Sequence, residues 1–334
     1  MKGKSLILLS VISLFFSCEQ FNSSKNQNDF SSLIQIVKEI EAELSLLNNE
    51  IVLLKNYNES LLASRESILQ NASLDPYEFE GGFSTNIPGE DFNLSSIVIT
   101  EKTPSFLEAF EEVKLTNSLD SVFQAIKNKY SFVAQVYSNS SMQVSRVFPA
   151  YDAKDLVTED TDLSKYNFYY EADEENNPSK GPVWIPDAYV DPAGRGWILS
   201  VIHPIYDKEK LFFLVVGIDL TVDDIISRYL NSEDENLIIA TKDGDIVAAG
   251  ASAIEALSFP PLKNYIYKEI ISEDNFRISD YNLFNSKNQE VRLMAEEFLL
   301  KNKSSFRFSE EYSPKSARIV YFNMIDWILI EVNF

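Results

Sequence analysis

Leu33, Val37, Ile40, Leu44, Leu47, Ile51, Leu54, Leu61 and Ile68 recur in steps of three and four, with Asn58 and Arg65 in the two gaps, and neither Pro nor Gly interrupts the run. That spacing predicts a single amphipathic helix over 31–72. At 1.5 Å per residue it is about 63 Å long. A compact body made from the remaining ~250 residues has a radius of gyration near 18 Å and is roughly 45 Å across. One globule is too short for such a helix. Either two domains stack along it, or it pairs with another helix in a coiled coil, against which Asn58 and Arg65 at core heptad positions argue.

The helix is preceded by Met-Lys-Gly-Lys, an apolar run from Leu6 to Phe16, and then Ser17-Cys18. The run is far short of the roughly 20 residues a spanning helix needs. Residues 1–17 therefore read as a cleaved export signal, with Cys18 as the lipidated first residue of the mature chain. An ordinary secretory signal with an incidental cysteine is the other reading. Cys18 is the only cysteine, so no intrachain disulfide is available. Residues 18–30, rich in Asn and Ser, read as a flexible tether. Loss of Lys2 and Lys4 on cleavage takes the net charge from −22 to −24, a surface that repels nucleic acid and anionic headgroups. No second apolar stretch approaches spanning length, so an output domain across the membrane is not expected in this chain.

Beyond the helix, Leu74 to Asn93 holds Pro76, Gly81-Gly82, Pro88 and Gly89 and reads as loop. Helical patterning returns at Ser105 to Val113 and Ser118 to Lys129, followed by a strand at Phe132 to Tyr137. Extended runs are predicted over Val183 to Tyr189, Trp197 to Ile205 and Leu211 to Val216, with turn chemistry at Asp191 to Gly196. Thr221, with Asp224 three places on, predicts a helix start. Leu237 to Ala240, Ile246 to Ala249, Ser305 to Tyr312, Ala317 to Phe322 and Trp327 to Val332 read as a second strand system. The expected fold class is α+β, a long N-terminal helix packed along two tandem domains with antiparallel sheets: a larger one over 95–230 and a smaller one over 231–334.

The segments Arg146-Val-Phe-Pro149, Phe168-Tyr-Tyr-Glu-Ala172, Val183-Trp184, Tyr189-Val-Asp191, Ser200 to Asp207 and Val216-Gly-Ile-Asp-Leu220 occur in an order and spacing that resemble the double Cache sensor domains of bacterial chemoreceptors and sensor kinases. Leu237 to Val247 and Asp326 to Ile330 are similar to parts of the second, PAS-like Cache domain. The resemblance implies ligand binding in the larger domain, through an Arg, an aromatic pair, a later Tyr and an Asp. Residue by residue these fall on Tyr166 (in place of the Arg), Phe168 and Tyr169, Tyr189 and Asp219. Without the Arg there is no bidentate partner for a carboxylate. The retained Asp and rings suit a small polar ligand with a cationic or amine group. Trp184 is expected to pack rather than touch ligand.

Each of these residues has a plainer role open to it: Asp219 as a helix cap, Tyr189 as a half-buried sheet residue, Phe168 and Tyr169 as core aromatics in a chain with 23 Phe and 16 Tyr. His203 is the only histidine, so neither a metal site nor a catalytic triad is expected. Gly194-Arg-Gly196 lacks the strand-to-helix setting of a phosphate loop. The sequence thus predicts a binding protein and not an enzyme, without cofactor or metal. It would be a lipid-anchored sensor or solute-capture module on the periplasmic or cell-surface side, working with a separate chemoreceptor, sensor kinase or transporter. The competing reading is a surface lipoprotein whose degenerate Cache scaffold serves protein–protein or host contact.

Overall fold

The computed structural model describes residues 30–209, 211–230, 236–259, 281–309 and 314–334. The signal segment, Cys18 and the tether up to residue 29 lie outside the described residues. Helix α1 spans Ser31–Ala63 and buries Leu33, Val37, Ile40, Leu44, Leu47, Ile51, Leu54 and Leu61, the stripe that the spacing predicts. It is about 50 Å long. It ends before residue 72 because Ser64 leaves helical geometry (φ −104°, ψ 13°), and the short helix α2, Arg65–Leu69, continues at a break. Buried Asn58 returns its side-chain amide to the Leu54 carbonyl at 2.9 Å, so this polar position of the stripe is satisfied within the helix itself.

The chain then builds two antiparallel sheets. The larger holds β1 (Phe79–Glu80), β2 (Phe83–Ser84), β3 (Ser96–Ile99), β4 (Val133–Ser140), β5 (Val144–Phe148), β6 (Val183–Trp184), β7 (Tyr189–Val190), β8 (Trp197–Tyr206) and β9 (Phe212–Thr221). Their order is β1-β2-β3-β5-β4-β9-β8-β6, with β7 also on β8. Helices α3 (Phe106–Thr116) and α4 (Leu119–Lys129) separate β3 from β4. Ser105 caps α3 by accepting the Glu108 N–H. Two expectations are corrected here. The stretch 74–93 is not all loop: β1 and β2 form a small hairpin, and Gly82 lets its backbone lie on β3, where a Cβ would collide with the Ile99 carbonyl. The run 183–189 is not continuous, since β6 and β7 are separate two-residue strands on β8.

Period two divides the larger sheet into two environments. Val136, Leu199, Val201, Ile205, Leu214, Val216, Ile218 and Leu220 face α1 and α4 in the main core. Tyr137, Val147, Ile198, Ile202 and Val215 face the other way, under a cover that includes Phe168, Tyr169 and Tyr189. The smaller sheet runs β11 (Ile246–Ala249), β10 (Asn236–Thr241), β14 (Trp327–Asn333), β13 (Ser316–Tyr321) and β12 (Ser305–Arg307). Gly244, at φ +90°, supplies the left-handed turn between β10 and β11.

Helix α1 touches both sheets, through β8 and β9 of one and β13 and β14 of the other. Glu41 accepts the backbone N–H groups of Asn323 and Met324, and Arg228 pairs with Glu43. Of the two arrangements open to the long helix, the stacked one is adopted. Trp327 donates its indole N–H to the Pro186 carbonyl at 3.0 Å, which joins the β6–β7 connection to the smaller sheet. Trp184 packs against the main core and donates to Asn48 of α1 at 3.0 Å. Thr221 caps the next helix as predicted, accepting the Asp224 N–H at 3.1 Å and donating to its carboxylate at 2.6 Å. No helix among the described residues is long and apolar enough to cross a membrane.

Candidate functional site

A cavity of about 760 Å³ lies on the face of the larger sheet away from α1, between β3, β5, β4 and β9 below and the segments 151–168 and 189–193 above. Its deep end is organised by cross-strand pairing. Asp219 on β9 lies opposite Gln135 on β4 and opposite Ser200 on β8. Gln135 Nε2 donates to one carboxylate oxygen at 2.7 Å, and Ser200 Oγ donates to the other at 2.5 Å. The Tyr189 hydroxyl is hydrogen-bonded to Ser200 Oγ at 2.7 Å. Asp219 therefore does not cap the following helix. Its two oxygens are held by neighbouring strands at the cavity wall.

Asp191 is the second buried acid here, 2% exposed against 1% for Asp219. It also keeps the turn chemistry read from its neighbours, since its oxygens accept the N–H groups of Ala193 (3.0 Å) and Arg195 (3.1 Å). Burial pushes the Asp219 carboxyl well above the usual carboxylate range, and the nearby Asp191 charge adds to this, against the hydrogen bonds from Ser200 and Gln135. Burial raises Asp191 as well, opposed by its two backbone donors. Burial drives both acids up, and the Asp191 charge raises Asp219 further; such a pair in a cleft makes this a candidate functional site.

Tyr137 crosses this floor. Its hydroxyl lies near those of Tyr189 and Ser200 but makes no hydrogen bond of good geometry among the described residues, and Gln135 Oε1 and Asn139 Oδ1 are likewise buried without one. The room for the Tyr137 ring comes from Gly217, directly opposite on β9, where a Cβ would collide with the ring. Gly217→Ala should therefore push Tyr137 into the cavity and cost about 1–3 kcal/mol, as overpacking does. Urea denaturation checks this, and an unchanged midpoint would show that the ring has freedom the structure does not suggest.

Four of the five predicted residues come together. Tyr166, Phe168, Tyr189 and Asp219 all line the cavity. Tyr166 stacks on Phe168 with centroids 5.0 Å apart and planes 14° apart, and Phe168 in turn meets Tyr137 edge-on at 5.9 Å. Tyr169 is placed differently: it lies outside the lining, with its ring 5.0 Å from that of Phe212. On the one-turn helix Asn167–Tyr170, consecutive residues point about 100° apart, and here Phe168 faces the cavity while Tyr169 faces Phe212. Gln135, Tyr137, Asn139, Asp191 and Ser200 were not singled out from sequence. The signal for the first three was the alternation that continues through β4, past the point where the predicted strand stops.

At the opposite, more exposed end the lining holds Asp155, Asp160, Lys102 and Lys165, together with half-buried Asp162. Asp162 is held below the usual carboxylate range, chiefly by its hydrogen bond from Ser164. Over the whole lining five carboxyl groups face two lysines.

No protein-family model and no curated protein matches the sequence. Its structural neighbours include ligand-binding domains of chemoreceptors. The ligand-binding domain of a Pseudomonas fluorescens chemoreceptor, solved with L-valine, is 13% identical over 62% of this chain and 75% of its own, at a TM-score of 0.41. That of a Campylobacter jejuni chemoreceptor, solved with 4-methylisoleucine, is 11% identical over 91% and 92%, at 0.42. A third ligand-binding domain, solved with asparagine, is 16% identical over 91% and 95%, also at 0.42. The neighbours are of the kind that the motif resemblance implied.

Proposed function

We propose that the protein captures a small polar molecule bearing a cationic or amine group, outside the cytoplasm, in the cavity over Asp219. The observation that carries this is the deep end of the cavity. Two buried carboxyl groups converge there with a tyrosine hydroxyl and a glutamine carbonyl that no group among the described residues satisfies. Such groups cost stability unless something completes them. An ammonium group would do so, giving Asp219 a counter-charge and Gln135 and Tyr137 a donor. A scaffold that had lost its ligand would have little reason to keep these groups buried and open.

A thermal-shift screen against amines, amino acids, carboxylates, purines and sugars tests the reading. A ligand at a hundred times its Kd adds about 2.7 kcal/mol, or roughly 5–10 °C for a body of this size. The response should be confined to amines and should disappear in Asp219→Ala. A response that survives this substitution would place the site elsewhere. Affinity should also rise with pH through the elevated Asp219 pKa, because the ammonium favours the ionised carboxyl and binding expels its proton. Calorimetry in buffers of different ionisation enthalpy reads that proton, and a pH-independent affinity would contradict the assignment.

The same proposal includes a lipid on Cys18 as the anchor, supported by the charged start, apolar run and Ser17-Cys18 junction. Cys18→Ser should move the protein from the membrane fraction to the soluble one, and retention of the variant on membranes would refute the lipid. A chain held by lipid alone reaches one leaflet, so its signal or cargo passes to a separate membrane protein. Crosslinking in cells with and without an amine ligand tests that step, and recovery of no membrane protein would count against it.

A further inference from the structure

The cavity floor carries a repeat that a single ammonium group does not use. Gln135, Tyr137 and Asn139 are alternate residues of β4 and stand in a row on one face. Each is 3% exposed. Among the described residues, Gln135 Oε1, Tyr137 Oη and Asn139 Oδ1 each lack a hydrogen bond of good geometry. At about 3.4 Å per residue, neighbours in the row are about 7 Å apart and its ends about 14 Å apart.

Carboxylates stand at both ends of the row. At one end Gln135 donates to Asp219, and Asp191 lies close by. Beyond Asn139 the turn after β4 carries Gln143, whose Nε2 donates to Asp162 Oδ1 at 3.0 Å. Between these poles lie the stacked rings of Tyr166 and Phe168, an apolar surface for methylene groups. The volume, about 760 Å³, falls in the range for ligands of drug size.

Resting on the cationic reading above, we propose that the occupant is an extended diamine or polyamine lying along β4. One ammonium sits at Asp219 and Asp191 and another at the Asp162 end. The intervening chain covers the aromatic pair, and its N–H donors meet the acceptors of the row. A short monoamine fills one pole only. An α-amino acid would set its carboxylate among acceptors.

The test is calorimetric titration of the full chain in detergent micelles with n-butylamine, the α,ω-diamines from 1,3-diaminopropane to 1,8-diaminooctane, and spermidine. Affinity should rise with chain length, and the longer diamines and spermidine should bind at least tenfold more tightly than n-butylamine. Asp162→Asn and Asn139→Leu, each checked for native circular dichroism, should cut the advantage of the long diamines severalfold. Equal affinities for n-butylamine and every diamine would overturn the proposal while leaving the cationic site standing. A length dependence untouched by Asp162→Asn would overturn it too. Binding of a neutral or anionic compound with no response to any amine would instead remove the cationic reading on which it rests.

Discussion

Arg146→Met should lower the unfolding free energy by about 3–5 kcal/mol, the cost of removing one partner from a buried ion pair. Arg146 is 1% exposed, on the helix side of the larger sheet. Its guanidinium donates to Asp120 Oδ1 at 2.9 Å, to the Val113 carbonyl at 3.1 Å and to Asn117 Oδ1 at 3.0 Å. Asp120 also accepts from the Tyr77 hydroxyl at 2.6 Å and from Ser95 Oγ at 2.5 Å. One side chain thus joins β5, the end of α3, α4 and the segment leading to β3. Methionine keeps much of the bulk and leaves the Asp120 charge without its partner. Urea denaturation measures the loss, and the double variant Arg146→Met with Asp120→Leu should recover part of it. A loss under about 1 kcal/mol in the single variant would mean that the network contributes little beyond packing.

Glu112→Gln should raise stability at high pH and change little in acid. Glu112 is 3% exposed on α3, with Oε2 buried and unsatisfied. Burial pushes its carboxyl up to about 8 from an ordinary value near 4.5, against smaller opposing effects from Ser140, Arg65 and Arg146. The folded protein holds this proton more tightly than the unfolded chain does. The resulting stability is present below the unfolded pKa and is lost as pH rises through the folded one. At pH 9 the wild type should have lost roughly 3–5 kcal/mol that a neutral amide does not lose. Thermal melts between pH 5 and 9 check this. Parallel melting curves for wild type and variant across that range would show that the carboxyl finds a partner when charged.

The fold was legible where hydrophobic spacing runs long. The α1 stripe, the two strand systems and the Thr221 cap all follow from local pattern, because period and cap chemistry act over a few residues. The short pairings were not legible. β1 and β2 are two residues each, and β6 and β7 exist only because β8 offers them a ladder, so no local preference announces them. The same limit applies to the site. Asp219 stood out as the one acid in an apolar strand. Gln135 did not, since its importance comes from lying opposite Asp219 some 84 residues away. The resemblance pairs Tyr169 with Phe168 as ligand-facing rings, whereas the helical turn here sends the two neighbours in different directions.

The connection between β6 and β7 bears on how binding could be felt elsewhere. It begins at Trp184, tied to α1, has its Pro186 carbonyl held by Trp327 of the smaller sheet, and ends at Tyr189 in the cavity wall. Trp197, the remaining tryptophan, pairs with Val190 just beyond it. Every indole in the molecule therefore sits on or beside one six-residue strap that links the cavity, the long helix and the smaller sheet. The protein carries its own optical gauge, and its intrinsic emission reports on the segment that a displaced Tyr189 would pull.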